Sequence, residues 1–357
     1  MTQTCFQPFA GLRLGLAMVA LSTVLAGAAA HSWGAMPAAD PVTISPQEAW
    51  SGVLSGQETT WNYNLTTPEG FQGRLGWSLS SSKRTLARGE IALTAAAGQP
   101  NRAAVHFQVP EVKVGVVIQA RLSVKVYHGE RGGRLAGHDR TLWIFSDDPF
   151  ALRSDWLKEL KITLFDPQGD TQKILQRAKI PFQQVHHAAA LQGMTAGVLV
   201  VGQGISFEEH RNLPEMLVRL AAGGVPVLCL APSAGSLPMP GAETAGAGLP
   251  VPKHVVLRRE DAITALDKRL DADAWPPDGR IVASTMSITA EGHRVVGRVG
   301  KEDNGWSWIE VHYPKERTTL LICGFGVVEH WDAGPTPRYL FARMLEYVAP
   351  RADSTPR

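Results

Sequence analysis

The chain has 357 residues, 44% of them hydrophobic and 19% charged, with 35 Lys and Arg against 33 Asp and Glu. That composition is globular rather than disordered, and the length suits two ordinary domains. A formal net charge of +2 supplies no field to draw the chain to nucleic acid or anionic lipid, so neither is expected as a partner.

At the N-terminus Arg13 precedes a mostly apolar run over residues 14–26, closed by Gly27 and Ala28-Ala29-Ala30. This is the three-part layout of a secretory signal. The run is short of the roughly 20 apolar residues that a spanning helix needs. Cleavage after Ala30 is therefore expected, with the remainder exported, periplasmic or secreted, and not stably inserted in a membrane. Cys5 is lost with the signal, and residues 31–40 read as a linker.

From residue 41 to 148 the pattern has period two. Trp61, Tyr63 and Leu65 alternate with polar neighbours, as do Leu75, Trp77 and Leu79, then Val105, Phe107 and Val109. Ile118, Ala120, Leu122, Val124 and Val126 form the longest run, with Arg121, Ser123 and Lys125 facing the other way. Successive strand residues face opposite sides, so each run has one buried and one wet face. Pro68, Gly70, Gly98, Pro100 and Gly129 punctuate the runs, as in an antiparallel sandwich. The predicted class is an all-β, immunoglobulin-like sandwich without the cysteine pair of a true immunoglobulin domain.

The pattern changes at Asp147-Asp148-Pro149. Residues 160–165 read as a strand, and Asp170 as the cap of a helix carrying Ile174, Leu175 and Ala178. Val198 to Val201 is apolar on both faces, as a central parallel strand should be. Ser206 and Glu209 form a capping box, Pro214 restarts a helix, and Gly223-Gly224 ends it. Residues 225–230 are the next buried strand. Residues 231–252 read as an excursion with little structure, 261–270 as a short helix, and 295–299 as a strand. Residues 306–313 and 318–323 read as a hairpin turning at Pro314-Lys315-Glu316, and 337–348 as the closing helix. This order predicts an α/β open-sheet domain over residues 152–349, followed by a tail at 350–357. Cys229 and Cys323 sit in apolar runs and read as buried small hydrophobes, although export would permit them to pair.

Ligands of open α/β sheets bind beyond the carboxyl ends of the strands. The positions to examine are thus residues 166–169, Gly202-Gln203-Gly204 and residues 231–235. Asp166, Gln203, Ser233, Glu329, Trp331 and Asp332 are the candidate crevice residues. Glu329-His330-Trp331-Asp332 joins acid, base and a stacking surface of a kind that suits sugar rings, though Trp331 packed under the closing helix is the blander alternative. Trp306 and Trp308 are placed on one strand face. His186-His187 points two ways along an extended segment, and no metal-binding or cofactor spacing is present, so no metal or cofactor is expected.

The segment Gly224-Val225-Pro226-Val227-Leu228-Cys229-Leu230-Ala231-Pro232-Ser233 resembles the strand and elbow of class I glutamine amidotransferase domains. Aligned on Pro226-Val227-Leu228, the nucleophile position falls on Ala231, where acyl transfer would need a thiolate. The run from Leu320 through Asp332 to the final helix is similar to amidotransferase-like domains that have lost the nucleophile and stand beside β-sandwiches in bacterial β-galactosidase-like and glycan-processing proteins. The resemblance implies a flavodoxin- or amidotransferase-like sheet and a non-catalytic binding or assembly role, with a carbohydrate or a glycan-processing protein as partner. The rival is a serine hydrolase. Ala231-Pro232-Ser233-Ala234-Gly235 is a loose G-x-S-x-G elbow, with His254, His293, His312 or His330 as base, but Ser236-Leu237-Pro238-Met239-Pro240-Gly241 is hostile to the helix such an elbow requires.

Overall fold

The computed structural model describes residues 42–129, 132–239, 248–291, 294–301, 303–314 and 319–349. The signal, linker and tail read from the sequence, His293 and the hairpin tip at 315–318 lie outside the described residues. Asp40 to Arg357 forms one compact unit.

Eight strands come first: β1 (Thr43–Pro46), β2 (Gly52–Leu54), β3 (Glu58–Thr66), β4 (Phe71–Ser81), β5 (Arg84–Ala95), β6 (Asn101–Gln108), β7 (Val117–His128) and β8 (Arg134–Phe145). They form two sheets, ordered β1-β3-β6 and β2-β8-β7-β4-β5. All pairings are antiparallel except β2 with β8. The alternating residues account for the core. Trp61, Tyr63 and Leu65 of β3 share one buried cluster with Leu75 and Leu79 of β4 and with Ala120, Leu122, Val124 and Val126 of β7. The two sheets therefore bury one face of each strand against the other sheet.

The rest of the chain runs α1 (Ser154–Glu159), β9 (Thr163–Phe165), α2 (Asp170–Arg177), β10 (Gln183–Val185), a 3-10 turn (Ala188–Gly193), β11 (Leu199–Val201), α3 (Leu213–Ala222), β12 (Val227–Leu230) and β13 (Ser236–Met239). It continues through β14 (His254–Arg258), α4 (Asp261–Leu266), β15 (Thr285–Glu291), β16 (Arg294–Gly300), β17 (Trp308–His312), β18 (Thr319–Cys323) and α5 (Pro335–Val348). Seven strands make a mixed sheet in the order β10-β9-β11-β12-β18-β17-β14. The first five are parallel, and β17 and β14 extend that sheet by antiparallel pairing. A small sheet β13-β16-β15 accompanies it.

The seven-stranded sheet separates two cores. On one face Leu164, Leu228, Leu230, Leu321 and Cys323 pack with Leu175 of α2, Ala262 and Ile263 of α4 and Leu340, Phe341 and Leu345 of α5. On the other, Phe165, Leu199, Val201, Cys229 and Ile322 pack with Leu213, Leu217 and Val218 of α3 and Leu237 of β13. The first core also takes Leu54 of β2 and Phe145 of β8, so the N-terminal sheets and the mixed sheet share buried surface.

Several expectations are corrected. The strand at 160–165 is confined to Thr163–Phe165, because Lys161 turns the chain at φ 47°. α2 begins after Gly169 (φ 83°), and it is Asp166 Oδ2, not Asp170, that accepts the Gln172 N–H at 2.7 Å. Ser206 Oγ accepts the Glu209 N–H at 3.3 Å, but residues 207–212 stay in turns and α3 starts only at Leu213. The excursion after Ala231 holds strand β13, and β15 joins the predicted 295–299 strand as a partner the sequence reading missed. Trp306 packs on the α3 side and Trp308 on the α5 side, so the two do not share a face. Cys229 and Cys323 are free and buried. They lie on adjacent strands but in opposite cores, with Cys229 beside Ile322 and Leu230 beside Cys323.

Candidate functional site

The order β10-β9-β11 means that the chain crosses from β9 to β10 on one side and then returns past β9 to β11 on the other. Where a parallel sheet reverses in this way, the loops on either side splay apart and open a crevice beyond the strand ends. A crevice of about 600 Å³ lies there. Gln168 follows β9, Asp170, Lys173 and Arg177 line α2, Gln203 follows β11, and Glu329 follows β18.

Hydrogen bonds between loops fix this geometry. The Gln203 N–H donates to Thr171 Oγ1 at 2.9 Å, and Gln203 Oε1 accepts the Val328 N–H at 2.9 Å. Gln203 therefore ties the β11 loop to α2 and to the β18 loop. Its carbonyl oxygen is used, leaving the side-chain NH2 as the polar group for a ligand. The charges on α2 are paired, whereas Glu329 makes no ion pair among the described residues. Lys173 Nζ lies 2.9 Å from Asp170 Oδ1, and that carboxylate raises the ammonium above its ordinary value. Arg177 reaches Asp332 at 2.6 Å, and Arg338 reaches the other oxygen of Asp332 at 2.9 Å.

The predicted crevice residues thus divide. Gln203 and Glu329 line the crevice, and Asp332 orients Arg177 at its edge. Asp166 lies beneath. It is fully buried, a Cβ on Gly202 would stand 2.6 Å from its Oδ1, and its role is to start α2. Trp331 is not a stacking surface. It is 5% exposed, and its ring packs edge-on to Phe341 at 5.8 Å in the α5 core. Ser233 is exposed beyond β12, its N–H donating to the Ile205 carbonyl at 3.0 Å.

The elbow itself carries a feature that the sequence did not disclose. Ala231 has φ 28°, and its N–H donates to the Cys323 carbonyl at 2.6 Å while its own carbonyl accepts from Gly204. A residue with a Cβ in the left-handed region costs roughly 1–2 kcal/mol, so the turn is held by its surroundings. Beyond Ser233 the chain enters strand β13 rather than a helix, so no N-terminal amides stand ready for an oxyanion. No hydrogen bond joins Ser233 to a histidine among the described residues. His254 and His312 stack on each other at 4.4 Å at the far edge of the sheet, and the His330 ring packs against Trp275.

That far edge holds a cluster the sequence reading passed over. Glu310, 6% exposed, accepts Trp308 Nε1–H at 2.7 Å on one oxygen. On the other it meets Tyr347 OH at 2.6 Å and His312 Nε2 at 2.9 Å. Burial pushes the carboxyl up, but hydrogen bonds from Tyr347, Trp308 and His312 outweigh it and hold Glu310 below its ordinary value. The signal was present in Trp308-x-Glu310-x-His312, since alternate strand residues share a face. Exposed His186 and His187 join no metal-binding group, and none is found among the described residues.

No family model matches the chain, and no curated protein does. Among solved structures it is similar to a β-galactosidase candidate from Bacteroides fragilis, at 7% identity over 54% of this chain and 39% of that one (TM-score 0.22). It is also similar to a sporulation control protein from Bacillus subtilis, at 10% identity over 38% of this chain and 56% of that one (TM-score 0.22). A cycloisomaltooligosaccharide glucanotransferase from Paenibacillus sp. matches at 8% identity over 72% of this chain and 33% of that one (TM-score 0.28). The chain thus spans less than two thirds of each, and at these scores the likenesses assign neither its fold nor its activity.

Proposed function

We propose that this chain is an exported, non-catalytic binding or assembly protein associated with glycan metabolism. In this reading residues 41–148 are an immunoglobulin-like sandwich, and residues 152–349 an α/β domain of the amidotransferase type that has lost its nucleophile. The strand orders β1-β3-β6 and β2-β8-β7-β4-β5, with β2 added parallel to β8, support the first assignment. The order β10-β9-β11-β12-β18 is a doubly wound 2-1-3-4-5 arrangement and supports the second.

The observation that carries the non-catalytic reading is Ala231. The left-handed backbone that presents a nucleophile at a strand-to-loop elbow is there, but the side chain on it is a methyl group. Cys229, two residues earlier, cannot substitute. It lies inside β12, and burial raises its thiol far above the ordinary value, so it stays protonated. The crevice at β9 and β11 remains as a pocket with fixed loops, paired charges along α2 and the Glu329 carboxylate, which suits binding of a small polar ligand without chemistry.

The test is direct. The purified mature protein is treated with a fluorophosphonate probe and digested for mass spectrometry, and glutamine hydrolysis is assayed in parallel. No labelled Ser233 and no ammonia release are expected. Labelling at Ser233 would instead establish the hydrolase. Export is tested by N-terminal sequencing of the protein recovered outside the cytoplasm, which should begin at His31.

A further inference from the structure

We propose that the groove between the sandwich and the α/β part is a carbohydrate-binding site for neutral sugars. The inference deepens the glycan association proposed above, on which it rests for context, and is independent of the crevice at β9 and β11. The groove has a volume of about 320 Å³, within the roughly 300–1,000 Å³ range of small-molecule sites.

Its lining is chemically one-sided. Trp50, Pro276, Pro277 and Pro335 supply flat apolar walls, while Glu48, Glu58, Gln57, Asn62 and two threonines supply polar atoms. Among the described residues no Lys, Arg or His lines it. Carboxylates only accept hydrogen bonds, and amides and hydroxyls both donate and accept. A negatively charged ligand would meet two carboxylates and no cation. A ligand rich in hydroxyl donors, with C–H faces to lay on indole and proline rings, satisfies both kinds of wall. A neutral sugar has those two properties together.

The groove is also set in advance. Arg140 stacks on Trp61 at 4.2 Å and donates to the backbone carbonyls of Glu48 and Trp50, fixing the segment that carries both residues. The Glu48 carboxylate accepts the Asn62 N–H at 2.9 Å and the Asn62 side-chain amide at 2.7 Å, so both polar groups are held in place. At the lip Gly52 brings the walls together, since a Cβ there would stand 2.9 Å from Pro335 Cγ. Asp271 locks the same lip by accepting from Ser51 and Gly52 of the opposite part. Groups held before the ligand arrives bind it at lower entropic cost.

The experiment is isothermal titration of the mature chain with maltopentaose, cellopentaose, xylopentaose and chitopentaose, with spermidine and a heparin hexasaccharide as charged controls. Binding of at least one neutral oligosaccharide is expected, weakened about tenfold or more in Trp50→Ala through loss of the aromatic wall. Glu58→Lys, an exposed change at the rim, should weaken it while leaving the melting temperature unchanged, and it keeps the test open if Trp50→Ala does not fold. Arg177→Ala in the crevice should leave sugar affinity unchanged. Binding of none of the four sugars, or of a charged control alone, overturns the proposal. Sugar binding lost in Arg177→Ala but kept in Glu58→Lys overturns it too, while preserving the glycan association and moving it to the crevice.

Discussion

Gly202 and Asp166 meet under the crevice with no room for a methyl group between them. A Cβ on Gly202 would lie 2.6 Å from Asp166 Oδ1 and 2.8 Å from Cγ, and Asp166 is buried and holds the first turn of α2. Gly202→Ala should therefore lower stability by about 1–3 kcal/mol, the usual cost of overpacking, and displace α2. Urea denaturation checks the first effect, and amide exchange at Gln172 the second. Glu310 gives a pH signature. Its carboxyl is held below the ordinary value of 4.5, so its ionised network stabilises the fold above that pH and the contribution is lost as pH falls through the lower folded value. Acid titration of stability should be steeper in the native protein than in Glu310→Gln, with the difference confined to pH below about 4.5. At this scale the sequence was partly legible. Gln203 was found because strand ends in a parallel sheet predict where side chains converge, and Glu329 because it stands with His330, Trp331 and Asp332 just after a buried strand. Trp331 was put among the crevice candidates, but the alternative weighed beside it, packing under the closing helix, is what its ring does against Phe341 of α5.

Among elements, the most consequential contact is that of the α4–β15 connection with the edge strand β2. Asp271 accepts the Ser51 N–H at 2.7 Å, the Ser51 hydroxyl at 2.6 Å and the Gly52 N–H at 2.8 Å. Burial pushes its carboxyl up, and despite the hydrogen bonds from Ser51 and Gly52 it stays above the ordinary value. Asp271→Ala leaves the backbone N–H groups of Ser51 and Gly52 without acceptors and should cost about 2–4 kcal/mol in a denaturant titration. The long strands β3, β4 and β7 and the buried strands β11 and β12 were legible, since their patterns are set by sheet faces. β13 and β15 were not. β13 is a four-residue strand containing Pro238, and β15 has polar residues where a partner covers little, so neither carries the alternation that marks a strand. The helix read from Ser206 failed for a related reason. Its capping pair forms one hydrogen bond, but Pro214 at the start of α3 takes over the role of first turn.

For the whole molecule, the shared core makes the N-terminal sheets and the mixed-sheet part dependent on each other. Phe145 of β8 packs on Tyr339 of α5 at 4.6 Å, and the Tyr339 hydroxyl meets Ser146 Oγ at 2.8 Å and its carbonyl at 3.0 Å. Arg338 reaches Asp147 at 2.7 Å beside them. Calorimetry should accordingly show one transition for residues 40–357. A fragment of residues 152–349 should lose solubility, because it would uncover Tyr339 and the apolar surface that Leu54 and Phe145 cover. Two separate transitions would show that the parts fold alone. The thiols of Cys229 and Cys323 face away from each other through the sheet's backbone, so no modest movement brings their sulfurs together. Through these two thiols the fold is indifferent to the redox poise around it: a chain beginning at His31 should show the same gel mobility and melting point with or without reductant.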